Sequence, residues 1–392
     1  MNTMFNGNRQ GMQVTNTGLI RARIVGRMTR RDFMKGTLAI GGGAAAFGLM
    51  SQAASAGTTV KFMGWLGYDD ALKAGSFLED NDIEVEMTYI DALEEIAAAA
   101  ASGGMGYMDL ATPVSFYVPS WVARGLVEPL DIERIPNLQG VFPKLREADG
   151  LSVDGTNYAV PFAWGSLPLM YNADVIKEPP TSWMDLFKEE YKGKVTITED
   201  LVGVIMNFAM AVTGTKTPWL LTREELDETI AVLIKFKKEH ALTIVSGYGE
   251  LTSLFESGDV IMGQSWEAVS MWMGEGAPTM KWVYPKEGTF TFVDVYIMIA
   301  ETPNKDVNYK ILNHVLSPEA QAHTAELNAT GVTVEAAVPL LSDPIREMYP
   351  YDDIDSFFEQ TGGMMKMFPL EPVGNAVSYD EIVEAWEGFL RS

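Results

Sequence analysis

Strand-like and helix-like segments alternate through most of this chain, and this alternation constrains its fold more than any other feature. Residues 59–65 and 83–90 alternate apolar and polar side chains, as half-buried strands do, and residues 70–78 between them have helical spacing. An alanine-rich helix over 92–101 and a short apolar strand over 108–113 follow. Because strand, helix and strand in succession are typical of a parallel sheet with covering helices, the sequence predicts an α/β fold.

The same alternation continues towards the C-terminus. Further strands are predicted at 158–161, 169–172, 194–197, 260–263, 282–285 and 293–299, and further helices at 202–212, 223–239, 251–256, 308–316 and 319–327. The chain contains no repeat and no linker rich in proline or serine. If it forms two lobes, ordered strands rather than a flexible tether are expected to join them.

The N-terminal region has the pattern of a twin-arginine export signal over residues 28–56. Arg30 and Arg31 precede an apolar run over 37–50, and the small residues Ala54 and Ala56 supply a cleavage site. The run is too short and too rich in glycine and alanine to remain as a membrane span. We therefore expect removal of residues 1–56, with Met1 or Met28 as the start, and a periplasmic mature chain. The alternative is a cytoplasmic protein with a chance arginine pair.

Composition excludes several kinds of site. The chain has no cysteine, which rules out disulfides, thiolate zinc sites, iron–sulfur clusters and cysteine nucleophiles. Its three histidines, His240, His314 and His323, show no metal-ligand spacing. The sequence therefore predicts no metal and no cofactor.

The charge balance is strongly acidic. Seven of the 29 basic residues and one of the 53 acidic residues precede Gly57, which leaves a formal charge of −30 on the remainder. Such a surface repels nucleic acid and anionic lipid and concentrates soluble cations. An acidic surface that serves only solubility is the alternative.

Aromatic and acidic residues cluster where the predicted strands end. They are Trp65 and Tyr68, then Ser115, Phe116 and Tyr117, then Phe162 and Trp164, then Asp200, and finally Trp266 and Glu267. Ligands of open α/β sheets bind at the carboxyl ends of strands. Aromatic faces attract organic cations by roughly 0.5–2 kcal/mol each, and carboxylates hydrogen-bond to ammonium groups. Each residue has a structural alternative, since aromatic side chains often pack in cores and a single aspartate after a strand often caps a helix.

A series of short motifs resembles the spermidine/putrescine-type periplasmic solute-binding proteins of ABC transporters. The resemblance covers nearly all of residues 58–390, and its motifs lie at 64–68, 109–117, 158–165, 169–172, 182–187, 191–194, 258–260, 285–294 and 316–322. It implies a two-lobed clamshell in which each lobe is a mostly parallel sheet flanked by helices. The expected limits are 57–162 with about 292–345 for lobe 1, and 163–291 with about 346–392 for lobe 2.

The resemblance also implies a binding site for a small cationic amine between the lobes. Its expected contacts are Trp65, Tyr68, Ser115, Tyr117, Trp164, Asp200, Trp266 and Asp294. Asp294 matches the carboxylate that pairs with an amine, and Trp266 matches a stacking tryptophan. The expected partners are this ligand and a membrane permease, with no catalysis, no nucleic acid and a monomeric receptor.

Three positions depart from the family pattern. Phe292 stands where the family often has tryptophan, an acidic position falls near Gly203, and a polar position falls near Leu370 and Glu371. Fewer acidic contacts suggest a ligand with fewer amines or a different ligand. A quaternary amine, an amino-acid derivative or a sugar therefore remains an alternative. An exported hydrolase or lyase is a more remote one, since no nucleophile elbow or phosphate loop is present.

Overall fold

The computed structural model describes residues 57–90 and 93–392, so the predicted export signal lies outside the described residues. The strands of the described chain are Thr58–Gly64 (β1), Ile83–Tyr89 (β2), Leu110–Ala111 (β3), Ser152–Val153 (β4), Thr156–Asn157 (β5), Ala159–Ser166 (β6), Leu169–Asn172 (β7), Val195–Thr198 (β8), Ala241–Val245 (β9), Met262–Gln264 (β10), Met280–Val283 (β11), Thr291–Met298 (β12) and Gly331–Val332 (β13). Its α-helices are Phe77–Asp80 (α1), Glu94–Ala99 (α2), Val118–Ala123 (α3), Leu201–Thr213 (α4), Arg223–Glu239 (α5), Tyr248–Ser257 (α6), Val269–Trp272 (α7), Lys305–His314 (α8), Pro318–Asn328 (α9), Asp343–Arg346 (α10), Ile354–Thr361 (α11) and Tyr379–Arg391 (α12).

The alternation of strands and helices predicted from the sequence is confirmed. The helix predicted over 223–239 forms over the same residues, because Thr222 and Glu225 cap its N-terminus reciprocally. The helix predicted over 70–78 is wrong in detail. It is a 3₁₀ turn, Tyr68–Lys73, followed by α1, because Gly75 between them has a left-handed φ of 65°.

The strands form two principal sheets. The first has six strands in the order β13-β6-β12-β3-β1-β2, and the second has five in the order β11-β7-β10-β8-β9. The two-lobed α/β class expected from the sequence is thus confirmed, whereas the expected lobe limits stay a prediction.

Both sheets are mixed, which corrects the expectation of mostly parallel sheets. In the first sheet β1 pairs with β2 and β3 in parallel, but β12 pairs with β3 and β6 in antiparallel orientation. In the second, β8 pairs with β9 and β10 in parallel, but β7 runs antiparallel to β10 and β11. The antiparallel strands β6, β7 and β12 adjoin the points where the chain passes between the sheets, so they do not follow the crossover pattern of a parallel sheet.

Three chain segments pass side by side between the two sheets. Leu167, between β6 and β7, donates its N–H to Phe290 O at 2.9 Å, just before β12. Asn207 on α4 fixes both segments, since its amide donates to Leu167 O at 3.2 Å and its Oδ1 accepts from Phe290 N at 2.5 Å. The segment after α11 joins them, where Thr289 donates its N–H to Thr361 O at 3.0 Å. We call these three segments the crossing.

The core is aromatic-rich and continuous with both sheets. Trp183, predicted to pack inside a lobe, is fully buried, lies 6.1 Å from Phe208 between ring centres, and donates its indole N–H to Gly288 O at 2.9 Å. Truncating such a side chain costs about 3–5 kcal/mol of stability. Within the described residues, no helix combines the length and hydropathy that a membrane span requires.

Candidate functional site

Asp294 on β12 carries a carboxylate that has no charged partner among residues 57–90 and 93–392. It is only 3% exposed, and the Tyr68 hydroxyl donates to its Oδ2. Its Oδ1 is buried and has no hydrogen-bond partner within the described chain. A buried acceptor left unpaired costs about 1–3 kcal/mol, and more when it is charged. Asp294 is therefore suited to receive a cationic donor.

Burial makes the carboxyl group of Asp294 harder to ionise. Loss of hydration raises its pKa to about 7, against the opposing effect of the Tyr68 hydrogen bond. The pKa of Tyr68 is also raised well above its usual value by burial and by the neighbouring Asp294. Tyr68 thus remains a neutral donor, and Asp294 becomes a full carboxylate only near neutral pH or beside a cation.

The turn after β3 flanks Asp294. Val114 forms an antiparallel bridge with Asp294, and Val295 N donates to Pro113 O at 2.9 Å. Ser115 and Tyr117 bound the 3₁₀ turn that follows and are both buried.

Two further predicted contacts, Tyr117 and Trp65, follow the strands β3 and β1. The Tyr117 ring lies 5.3 Å from the Phe116 ring and 6.3 Å from the Trp121 ring, within an aromatic cluster. Trp65 is half-buried directly after β1, and its carbonyl accepts from Tyr68 N at 3.2 Å. The structure therefore brings Trp65 and Ser115 to the same end of the first sheet as Tyr68 and Asp294.

The ring of Trp266, in the loop after β10, contacts three other aromatic rings. Its ring centre is 5.4 Å from Trp272, 6.3 Å from Tyr248 and 6.3 Å from Phe292, each in an edge-to-face arrangement. Phe292 lies two residues before Asp294 on β12, so both side chains point to one face of the strand. The contact between the Trp266 and Phe292 rings therefore joins the loop after β10, in the second sheet, to the strand of the first sheet that carries Asp294.

The indole N–H of Trp266 is buried and makes no hydrogen bond within the described chain. Burial and Glu267 raise the pKa of Tyr349 well above its usual value, and the Trp266 indole opposes this rise, so the Tyr349 hydroxyl lies close to the indole N–H, although the geometry falls short of a hydrogen bond. That hydroxyl donates to Ala329 O at 2.9 Å instead.

Glu267 is a second buried carboxylate next to this site. Ser166 donates both its backbone N–H, at 3.2 Å, and its hydroxyl to Glu267, and the Tyr284 hydroxyl lies 3.4 Å from Oε1. Burial raises the pKa of Glu267 to about 7, while the Ser166 hydrogen bonds oppose this rise. Glu267 links the loop after β10 to the end of β6. Its hydrogen bonds therefore connect the two sheets at the crossing.

Asp200 caps α4 and lies near the same group of residues. Its carboxylate accepts from Gly203 N at 3.1 Å, which is the capping role that was the alternative to ligand contact. Burial raises the pKa of Asp200, and the pKa of Tyr248 is raised well above its usual value by burial, by Asp200 and by Glu267. A side chain at Gly203 would meet Asp200 Oδ2 at 2.6 Å and Leu167 Cδ1 at 2.4 Å. The family's additional acidic side chain therefore has no room at this position.

Trp164 lies apart from these residues, in an aromatic core. It is fully buried, its ring centre is 5.1 Å from Tyr349 and 5.5 Å from Phe357, and its indole donates to Val332 O at 2.9 Å. Its predicted ligand contact stays a prediction, but in this structure its polar atom is already paired.

Sequence reasoning missed two residues that the structure brings to the site, Tyr248 and Tyr349. Burial and, to a smaller extent, Tyr349 raise the pKa of Tyr68, and burial and Glu267 raise the pKa of Tyr349, so Tyr349 lies near both. Tyr248 approaches Trp266 from the start of α6. Glu267 was named beside Trp266 at a strand end but not among the expected contacts, whereas no local pattern distinguishes Tyr248 or Tyr349.

Two surface depressions lie elsewhere and are less suited to a charged ligand. One of about 390 Å³ is lined by Phe77, Asn81, Asn137, Lys310, Asn313, His314 and Ser317, and one of about 430 Å³ by Gln139, Gly140, Glu335 and Ala336. In the first, Lys310 is paired with Asn81 at 3.2 Å and Asn137 with Asn313 at 2.8 Å. Because these polar groups are already paired, the unpaired atoms at Asp294 and Trp266 mark the better candidate site.

Comparison with known proteins agrees with this architecture. Residues 73–345 match the family of bacterial extracellular solute-binding proteins. The spermidine/putrescine-binding periplasmic protein of Salmonella typhimurium is 26% identical over 313 residues, which cover 79% of this chain and 88% of that protein. The expectation of a binding protein from this family is confirmed.

Solved structures show the same fold. The spermidine/putrescine substrate-binding protein PotD from Streptococcus pneumoniae superposes with a TM-score of 0.68 at 21% identity, over 85% of this chain and 99% of that one. A GABA receptor superposes with a TM-score of 0.64 at 22% identity, over 85% and 97% of the two chains. These similarities concern the fold and leave the ligand to be argued from the site. The family match extends over more than half of the sequence, and the chain belongs to the bacterial extracellular solute-binding proteins.

Proposed function

We propose that this chain captures a small cationic amine, a polyamine such as putrescine or spermidine, between its two lobes and delivers it to the membrane permease of an ABC importer. The observation that carries the proposal is Asp294, a buried carboxylate with one oxygen unpaired and no lysine or arginine paired with it among the described residues. An ammonium group supplies both the charge and the donor that this oxygen lacks.

Aromatic surroundings and relatives support the same ligand class. The half-buried rings of Trp65, Tyr248, Trp266 and Phe292 offer faces and edges that suit the methylenes and the positive charge of an amine. The relatives include a putrescine-binding periplasmic protein of Escherichia coli, 23% identical over 320 residues.

Several further features belong to the proposal. The chain is exported by the twin-arginine route and cleaved near Ala56, and its lobes have the limits expected from the sequence. It acts as a monomer, and the formal charge of −30 on the chain from Gly57 onwards disfavours nucleic acid as a partner. Ligand capture closes the lobes by rotation at the crossing, and the permease recognises the closed form.

Calorimetry of the purified protein tests the ligand class. Putrescine and spermidine are titrated beside choline and glucose, first with the wild-type protein and then with Asp294→Asn. We expect the amines to bind and the sugar not to bind. Loss of the charged partner in Asp294→Asn should weaken amine binding by about 30-fold or more, corresponding to about 2 kcal/mol.

A matched control is Asp352→Asn, which neutralises an exposed aspartate that is not itself a residue of the candidate site. It should leave amine affinity unchanged. Unchanged affinity in Asp294→Asn would remove Asp294 from the site, and binding of glucose alone would overturn the amine receptor. Recovery of the amine unchanged after prolonged incubation distinguishes a receptor from a hydrolase or lyase.

A further inference from the structure

Two unpaired polar atoms of opposite character belong to the candidate site. The ionised carboxylate of Asp294 can only accept at Oδ1, and Trp266 Nε1–H can only donate to an acceptor. Both atoms are buried and lack a partner within residues 57–90 and 93–392. Buried polar groups in native proteins are nearly always paired, so each unpaired one calls for an explanation.

The sheet register places both atoms over one face of β6 and β12. Gly165 lies opposite Phe292, and Ala163 lies opposite Asp294. A Cβ added at Gly165 would meet Trp266 Nε1 at 2.9 Å, so this N–H lies directly over Gly165. Alternate residues of a strand share a face and stand about 7 Å apart, which is the spacing of the two strand positions that lie beneath the donor and the acceptor.

The other two acids near the site are already paired. Glu267 accepts from Ser166 and lies near the Tyr284 hydroxyl, and Asp200 accepts from Gly203. Gly203 has no room for an additional acidic side chain. Among these three acids, only Asp294 has a buried carboxylate oxygen that lacks a partner within the described residues, whereas a linear diamine needs an acceptor at each end.

At the second end of the ligand, the site offers a hydrogen-bond donor, the Trp266 N–H, and not an acceptor. An ammonium group has no lone pair to offer the indole N–H, so a symmetric diamine would leave Trp266 unpaired. A carboxylate could accept from the indole, but it would lie near the acids Asp200 and Glu267, neither of which has a lysine or arginine partner in the part of the chain that the structure describes. A neutral carbonyl oxygen satisfies the indole without this repulsion.

We infer that the preferred ligand is a mono-N-acylated diamine, with its free ammonium at Asp294 and its amide carbonyl at Trp266. The inference rests on the proposed function, because it names the chemical class of the amine that the same site binds. A linker of about four carbon atoms suits the spacing set by the strand. The amide carbonyl of such a ligand accepts from Nε1–H, and its methylenes pack between Trp266 and Phe292.

Calorimetry with three four-carbon ligands tests the inference. N-acetylputrescine carries an ammonium and an amide, putrescine two ammoniums, and 4-aminobutyrate an ammonium and a carboxylate. For the wild-type protein we expect N-acetylputrescine to bind at least tenfold more tightly than either of the others. In Trp266→Phe, which keeps a ring but removes the N–H, N-acetylputrescine should lose about tenfold in affinity and putrescine less than threefold.

Trp272→Phe is the matched control, because Trp272 is a neighbouring ring that is 41% exposed. It should change the affinities for both ligands by the same factor. Thermal unfolding of both variants within a few degrees of wild type shows that the fold is intact.

The outcomes separate the inference from the function on which it rests. Tighter binding of putrescine or 4-aminobutyrate than of N-acetylputrescine, or equal losses for all ligands in Trp266→Phe, overturns the acylated ligand but leaves an amine receptor. Failure of all three ligands and of the longer polyamines to bind overturns the proposed function and the inference together.

Discussion

The hydroxyl of Tyr68 donates a hydrogen bond to Asp294 Oδ2 across 226 residues of chain. This contact joins the turn after β1 to β12 and fixes the orientation of the carboxylate. Because Tyr68 is a neutral donor, it leaves the negative charge of Asp294 uncompensated. The site therefore holds the carboxylate in a fixed orientation and leaves its negative charge without a counterion among the described residues. This arrangement favours a cationic ligand.

The ligand-free protein should become less stable as pH rises. The pKa of Asp294 is about 7 in the folded state and near 3.8 when unfolded, so the folded state retains a proton between these values that the unfolded state has released. Stability therefore falls as pH rises from about 4 to 7 and changes little above pH 8, with a total effect of a few kcal/mol from a shift of this size. Urea unfolding measured at pH 5, 6, 7 and 8 provides the test.

Asp294→Asn should flatten this pH dependence and raise stability at pH 8, because the neutral amide still accepts from Tyr68. Asp352→Asn, at an exposed position, should keep the wild-type slope. A slope in Asp294→Asn that matches wild type would show that Asp294 does not carry the buried proton.

Amine binding should release a proton near pH 6. At that pH most of Asp294 is protonated, since its folded pKa is about 7, and an ammonium partner favours the ionised form. Calorimetry in buffers of different ionisation enthalpies should give release of roughly one proton per ligand at pH 6 and little at pH 8. Affinity should fall by about tenfold per unit below pH 7, and binding that is independent of pH from 5.5 to 8 would contradict the assignment.

Glu267 should affect stability without controlling affinity. Its pKa is also raised to about 7 by burial, but Ser166 already donates two hydrogen bonds to its oxygens. Glu267→Gln should therefore reduce the fall in stability between about pH 4.5 and 7 while changing amine affinity by less than threefold. An affinity loss as large as that of Asp294→Asn would instead place Glu267 in contact with the ligand.

Gly165→Ala should weaken ligand binding through a steric effect. The added Cβ would lie 2.9 Å from both Trp266 Nε1 and Phe292 Cζ, so at least one ring must move. We expect a loss of about tenfold in affinity with a destabilisation of about 1–3 kcal/mol, the usual range for overpacking. Gly388→Ala, where an added Cβ meets no atom within 4 Å, is the control and should leave affinity unchanged.

Trp164→Phe distinguishes core packing from ligand contact at the one predicted contact that is fully buried. Loss of its hydrogen bond to Val332 O and of ring area should lower the midpoint of thermal unfolding by several degrees. Amine affinity should change by less than threefold. A larger loss of affinity at unchanged stability would support the ligand contact expected from the family resemblance.

Much of the fold follows from local pattern. Strict alternation at 83–90 predicted β2 and the helical pattern at 223–239 predicted α5 almost to the residue, because each pattern lies within the element it defines. Local pattern does not predict whether neighbouring strands pair in parallel or antiparallel orientation. Apolar runs such as β6 and β12 are buried on both faces whether their neighbours are parallel or antiparallel, and only the route of the chain through the crossing decides between them.

The candidate site was predictable in part for a similar reason. Tyr68, Trp266 and Asp294 stand at strand ends or match a family motif. Tyr349, by contrast, approaches Tyr68 from a segment near the C-terminus, and no spacing in the sequence links the two. The unpaired state of Trp266 Nε1 and Asp294 Oδ1 is likewise a property of the assembled sheets, since it depends on which donors and acceptors fail to reach them.

The crossing has a mechanical consequence. Two sheets connected by adjacent, hydrogen-bonded chain segments resist twisting and sliding more than bending about a common axis. Asn207 holds two of these segments together. Substitutions of Asn207 would alter the equilibrium between the open and closed conformations, and hence the apparent binding constant, without changing any atom that contacts the ligand.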